Sequence, residues 1–163
     1  MSKSLGNFID FEKIHHYVTA YGLDAFRWFL AKEGPFEVMD SDFVESRFID
    51  VYNRDLANDY GNLLNRVSGL IGKSFDGRVP DGEADPVIKE LADDLISENG
   101  NISVRKSINQ LKIDEAIENI MSLIRYVNRY LEYQAPWKKE RILPDATRLG
   151  SPEDVLYTAT EAL

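Results

Sequence analysis

The chain has 163 residues, 44% of them hydrophobic and 11% aromatic, enough for one domain, or one domain with an appendage, built on a real core. It contains no cysteine and two histidines, which excludes disulfides and thiolate metal sites and leaves no convincing zinc site. A net charge of −9 repels nucleic acid at long range, so any RNA contact has to rest on local basic and aromatic groups. No apolar run approaches the length of a membrane span and no basic-then-apolar leader is visible, so a cytoplasmic setting is expected.

Residues 1–7, MSKSLGN, are small and polar and read as a loop. A lysine on such a loop, Lys3, is one way to reach a phosphate; a disordered terminus is the other reading. Asp10 is placed to cap a short helix with Phe11, Ile14, Tyr17 and Val18 on its inner face, closed by Gly22. Asp24 is expected to cap a second, with Ala25, Phe26, Phe29 and Leu30 inward, ended by Gly34 and Pro35. His15 and His16 are adjacent and point about 100° apart, so they cannot chelate one ion together and are read as solvated. Arg27 and Trp28 are read as packing and pairing.

Residues 36–40 form a short extended link to the longest periodic stretch, Ser41 to Gly72. Asp42 and Glu45 there suggest a capping box. Phe48, Tyr52, Leu56, Tyr60, Leu63, Val67 and Leu70 recur in steps of three and four, predicting one helix about 40 Å long with a broad apolar face. Arg54, Asn58, Asn62 and Arg66 sit four apart and form a polar line on another face. That line is either solvated or a binding surface. Gly61 and Gly69 inside the helix cost about 1 kcal/mol each relative to alanine, which suggests close approach of another backbone.

Gly72 to Pro86 is rich in glycine, proline and aspartate and reads as a loop. Asp85 and Pro86 then start a helix whose stripe is Ile88, Leu91, Leu95 and Ile96. A kink or break is expected near Gly100. From Asp114, taken as a cap with Ile113 before it, a strong stripe of Ile117, Ile120, Met121, Ile124, Val127 and Leu131 runs to Gln134, where Pro136 stops it. Trp137 follows directly, with Lys138, Lys139 and Arg141. The tryptophan can seal the core beside a solvated basic tail, or it can stack on a base. Ser151 and Pro152 open a last helix with Glu153 and Asp154 in its first turn and no stop signal after it. A shortened last helix is expected to leave an apolar patch that favours self-association.

Four strings carry a family resemblance. MSKSLGN resembles the KMSKS signature of class I aminoacyl-tRNA synthetases. YGLDAFRWFL (Tyr21 to Leu30), NRDLANDYGNLLNRV (Asn53 to Val67) and NRYLEYQAPWK (Asn128 to Lys138) narrow it to the methionyl-tRNA synthetases. The resemblance covers nearly the whole chain. It implies an all-α fold, an antiparallel helix bundle of the class I synthetase anticodon-binding type, preceded by a short loop-helix connector. On that basis residues 1–40 form the signature loop and connector and 41–163 the anticodon-binding domain.

The resemblance further implies recognition of a CAU anticodon by Asn62 and Arg66, the Asn and Arg of GNLxxR, together with Pro136 and Trp137 of the APW string. A ring that stacks on an unpaired base while Asn and Arg read base edges suits a single-stranded loop. The implied partners are methionine-specific tRNA and an N-terminal catalytic domain that this chain lacks. The parent reaction so implied activates methionine with ATP and Mg and passes the methionyl group to tRNA. Lys3 matches the second lysine of the signature, which places positive charge on the triphosphate. The first signature lysine and the nucleotide-binding fold are missing, so the chain is not expected to bind a cofactor or catalyse alone. Two other readings remain: a helical protein-interaction module, or the same fragment of a synthetase for cysteine, leucine, isoleucine or valine.

Overall fold

The computed structural model describes residues 9–34, 43–138 and 150–163, and within these every regular element is helical. Lys3, Asp42, Lys139 and Arg141 lie outside the described residues. The elements are α1 (Phe11–Tyr21), α2 (Leu23–Glu33), α3 (Glu45–Val51), a π-helical stretch (Tyr52–Gly61), α4 (Asn62–Ser74), α5 (Pro86–Ile96), α6 (Val104–Asn109), α7 (Ile113–Gln134) and α8 (Pro152–Glu161). The all-α bundle implied by the resemblance is the fold observed.

Side-chain capping explains the starts of α1, α5, α6 and α8. Asp10 accepts from Lys13 N–H at 2.9 Å, Asp85 from Val87 and Ile88 at 3.0 and 3.2 Å, and Ser151 from Asp154 at 3.0 Å. Pro86 and Pro152 occupy first-turn positions, where the missing N–H costs nothing. Three expected starts are displaced, the first being α3, which begins at Glu45 itself with Val44 before it, not three residues into an Asp42–Glu45 box. Gly22, at φ 89°, both ends α1 and starts α2, which puts Asp24 in the first turn instead; Lys112, not Asp114, precedes α7. Around Gly100 the helix breaks: Asn101 and Ile102 N–H groups turn back onto the Asp94 carboxylate at 3.0 and 3.2 Å, and α6 follows.

Two apolar clusters result. Tyr17, Phe26, Phe29, Phe48 and Val51 join α1, α2 and α3 around the Phe48 ring, with Tyr17 at 5.1 Å and Phe29 edge-on at 5.3 Å. The larger cluster runs from Leu63, Val67 and Ile71 through Ile88 to Met121, Val127 and Leu131, closed by Val155, Leu156 and Ala159 of α8. Helix α7 is central to it, touching α2, the π stretch, α4, α5, α6 and α8. Phe11, Leu30 and Ile96, expected inside, are exposed instead, as is Tyr60 of the long stretch.

The long stretch is helical from Glu45 to Ser74, but it is not one α-helix. Between Tyr52 and Gly61 the backbone widens; Asn62 N–H reaches the Ala57 carbonyl, five residues back. Such a wide turn shifts every face that a four-residue period would align. Asp55, not Leu56, is fully buried, and Tyr60 is turned outward. The line from Arg54 to Arg66 is therefore broken, and only Asn62 and Arg66 keep α-helical i, i+4 spacing.

Candidate nucleic-acid interface

The carboxyl end of α7 sets the geometry of one corner of the bundle. Pro136 disfavours helix at the residue before it. Ala135 responds by adopting a left-handed conformation, φ 40° and ψ 60°, while its N–H still closes on Leu131. Pro136 and Trp137 then form a turn in which Lys138 N–H donates to the Ala135 carbonyl at 3.0 Å. Ala135 is buried, and the turn throws the indole outward, 47% exposed.

Helix α4 supplies the facing wall. The Arg66 guanidinium lies over the Trp137 ring, 5.5 Å from its centroid. This is cation–π distance. Glu132 of α7 pairs with Arg66 at 3.4 Å. Beside them an open groove of about 400 Å³ is lined by Asn65, Arg66, Gly69, Leu70, Lys73 and Trp137. An exposed indole next to a planar cation can stack on one base and hydrogen-bond another.

Of the residues expected at a site, the fold unites Arg66 and Trp137, with Pro136 forming the turn between α7 and the indole. Asn62 is exposed one turn earlier on α4, outside the groove lining. Asn65, Gly69 and Lys73 were not anticipated as site residues. The signal was present: 62, 66, 69 and 73 continue the same three-and-four spacing past Arg66.

A second polar cluster is buried where the connector meets the bundle. Asp55, 0% exposed, accepts from Lys32 at 2.6 Å and from Arg54 at 2.7 Å; the Trp28 indole N–H points at it from 3.4 Å. Lys32 also pairs with Glu118 of α7 at 3.3 Å, and Glu118 with Arg125, which reaches Asp59 at 3.5 Å. Burial alone would push the Asp55 carboxyl up. Hydrogen bonds and charges from Arg54 and Lys32 outweigh it and hold the group below the usual carboxylate range. This network fastens α2, the π stretch and α7 together. Trp28 does pack and pair, as read; Arg54 is engaged here and is not an unpaired cation on a binding face. Among the described residues no three His, Cys, Asp or Glu side chains group to hold a metal ion, and no helix is long and apolar enough to cross a membrane.

The chain is similar to known proteins along its whole length. Residues 1–68 match the family model of the class I (M) tRNA synthetases. A methionine–tRNA ligase of Synechocystis is 39% identical over 171 residues, covering 100% of this chain and 29% of that protein. One from Clostridium perfringens is 38% identical over 164 residues, covering 100% of this chain and 24% of that protein. The solved Mycobacterium tuberculosis methionyl-tRNA synthetase in complex with methionyl-adenylate superposes with a TM-score of 0.75 at 28% identity, over 99% of this chain and 30% of that one. The chain thus spans less than a third of the relatives it matches. Sequence and fold are similar, over the whole chain, to one stretch of the methionyl-tRNA synthetases.

Proposed function

We propose that this chain is the tRNA-reading part of a methionine–tRNA ligase and that it recognises the CAU anticodon at the corner formed by α4 and the end of α7. The observation that carries the reading is the exposed Trp137 ring with the Arg66 guanidinium 5.5 Å from its centre. Trp137 stacks on one anticodon base, and Asn62 and Arg66 hydrogen-bond base edges, with Pro136 fixing the turn that presents the ring. A tryptophan serving only to seal the core would not be half exposed beside an open groove. A solvated basic corner would not need the planar Arg over the indole.

In the same reading residues 1–40 are the signature loop and connector and 41–163 the anticodon-binding domain. The parent enzyme activates methionine with ATP and Mg in the cytoplasm and transfers it to tRNA; its nucleotide-binding domain lies outside this chain. Lys3 is the group here that would meet the triphosphate. The Asp55–Lys32–Glu118 network sets the angle between connector and bundle, and so between the anticodon and the reacting end of the tRNA.

The test is binding of the chain to an RNA hairpin with a CAU loop, compared at one fixed salt concentration with a one-base anticodon variant, since backbone contacts vary steeply with salt. CAU is expected to bind at least tenfold tighter, and Trp137→Ala to erase the gap. Arg66→Lys, which keeps the charge and loses the planar fork, should weaken CAU binding by about 1 to 3 kcal/mol. Equal binding of both hairpins by the folded chain would instead favour a protein-interaction module or another synthetase.

A further inference from the structure

Gly69 is a helix-interior glycine with no packing reason to be one. A Cβ added there would meet nothing within 4 Å, and its φ is not in the left-handed region. By propensity alone alanine would serve α4 better. Gly69 does line the groove beside Trp137, between Arg66 one turn before and Lys73 one turn after. The missing side chain therefore leaves room for something outside the chain.

Lys73 closes the far end of that groove. It forms no ion pair among the described residues, whereas Arg66 at the near end is paired with Glu132. Its ammonium stands in the last turn of α4, where the free carbonyls carry partial negative charge. Those carbonyls would repel an anion, and Lys73 is the lining group that offsets them. Arg66 and Lys73 are seven residues apart, about 10 Å along the helix axis, room for one nucleotide between a base on Trp137 and a phosphate on Lys73. Partly buried Leu70 gives the groove an apolar wall for a ribose.

We propose that the groove along Gly69 and Lys73 is a second nucleotide subsite, in which the ribose next to the stacked base packs against the bare helix at Gly69 and its phosphate is held by Lys73. The subsite rests on the anticodon reading for the identity of its RNA but not for its existence. It reads backbone and not sequence, so it adds affinity without changing base preference.

Three variants of the full chain test it against the CAU hairpin and its one-base variant: Gly69→Leu, which fills the groove while favouring helix; Lys73→Gln; and, as a charge control on α5, Lys89→Gln, whose ion pair with Asp93 is exposed. Circular dichroism confirms that each is folded. Gly69→Leu is expected to weaken both hairpins at least tenfold with no loss of thermal midpoint. Lys73→Gln should weaken both about equally and lower the slope of log affinity against log salt by about 0.7, the value for one single-strand phosphate contact, while Lys89→Gln leaves the slope unchanged. If Trp137→Ala erases the CAU preference while Gly69→Leu and Lys73→Gln bind like the parent, the subsite is wrong and the anticodon reading stands. If the parent shows no CAU preference yet both variants still weaken RNA, the subsite stands and the anticodon reading falls.

Discussion

The Lys32 ammonium sits 2.6 Å from the Asp55 carboxylate, and no part of Asp55 reaches solvent. The pair joins the connector to the widened turn of the long helix, and Lys32 extends it to Glu118 of α7. A charge buried this completely holds only while its partners stay in place.

Removing one partner is therefore expected to cost more than removing both. Lys32→Met should lower unfolding free energy by about 3 kcal/mol, because Asp55 keeps only Arg54 and a long contact from Trp28. The double variant Lys32→Met with Asp55→Leu should recover part of that loss. Urea denaturation of the four members of the cycle gives the coupling directly. Losses that simply add would show that the two side chains act independently.

Acid should loosen the same junction. Asp55 is held below its usual pKa in the fold, so unfolding raises it towards about 3.9 and the unfolded chain takes up the proton more readily. Its contribution is present above the unfolded value and disappears as pH falls through the folded one. Asp154 acts in the same direction, its carboxyl held below the usual range by the Glu83 N–H and the Ser151 hydroxyl. Urea midpoints measured from pH 7 down to pH 3 should decline in the acid range, and the decline should be shallower in Asp55→Asn.

Three glycines in the bundle should respond to alanine in a set order. A Cβ at Gly100 would lie 1.9 Å from the Asp94 carbonyl oxygen, a backbone atom that cannot swing away; the loss should be about 2 kcal/mol. At Gly61 it would lie 2.8 Å from the Leu56 oxygen across the π turn, so the variant should be less stable than its better helix propensity suggests. Gly69→Ala, with open space, should gain about 1 kcal/mol. Thermal or urea midpoints rank the three; a Gly100→Ala variant as stable as the parent would contradict the tight turn on Asp94.

Short-range chemistry made much of this protein legible from its residues alone. Asp10, Asp85 and Ser151 cap helices because a side-chain oxygen two or three residues from free N–H groups needs no tertiary partner. The α7 stripe and its stop at Pro136 follow from periodicity and from the ring's effect on the residue before it. The strings around Asn62, Arg66 and Trp137 were enough to indicate the family.

What the residues could not decide depends on contacts far apart in the chain. Assuming a uniform α-helical period places Leu56 and Tyr60 inside; a buried ion pair with Lys32, 23 residues earlier, goes with a wider turn and brings Asp55 inward instead. Phe11 and Ile96 sit at apolar positions of their helices, yet among the described residues they are left exposed. Whether Trp137 seals the core or faces outward is also left open by the sequence, because either outcome follows a helix stop. The left-handed turn at Ala135 and the approach of α4 decided it, setting Arg66, 71 residues away, over the ring and opening the groove that Gly69 leaves bare.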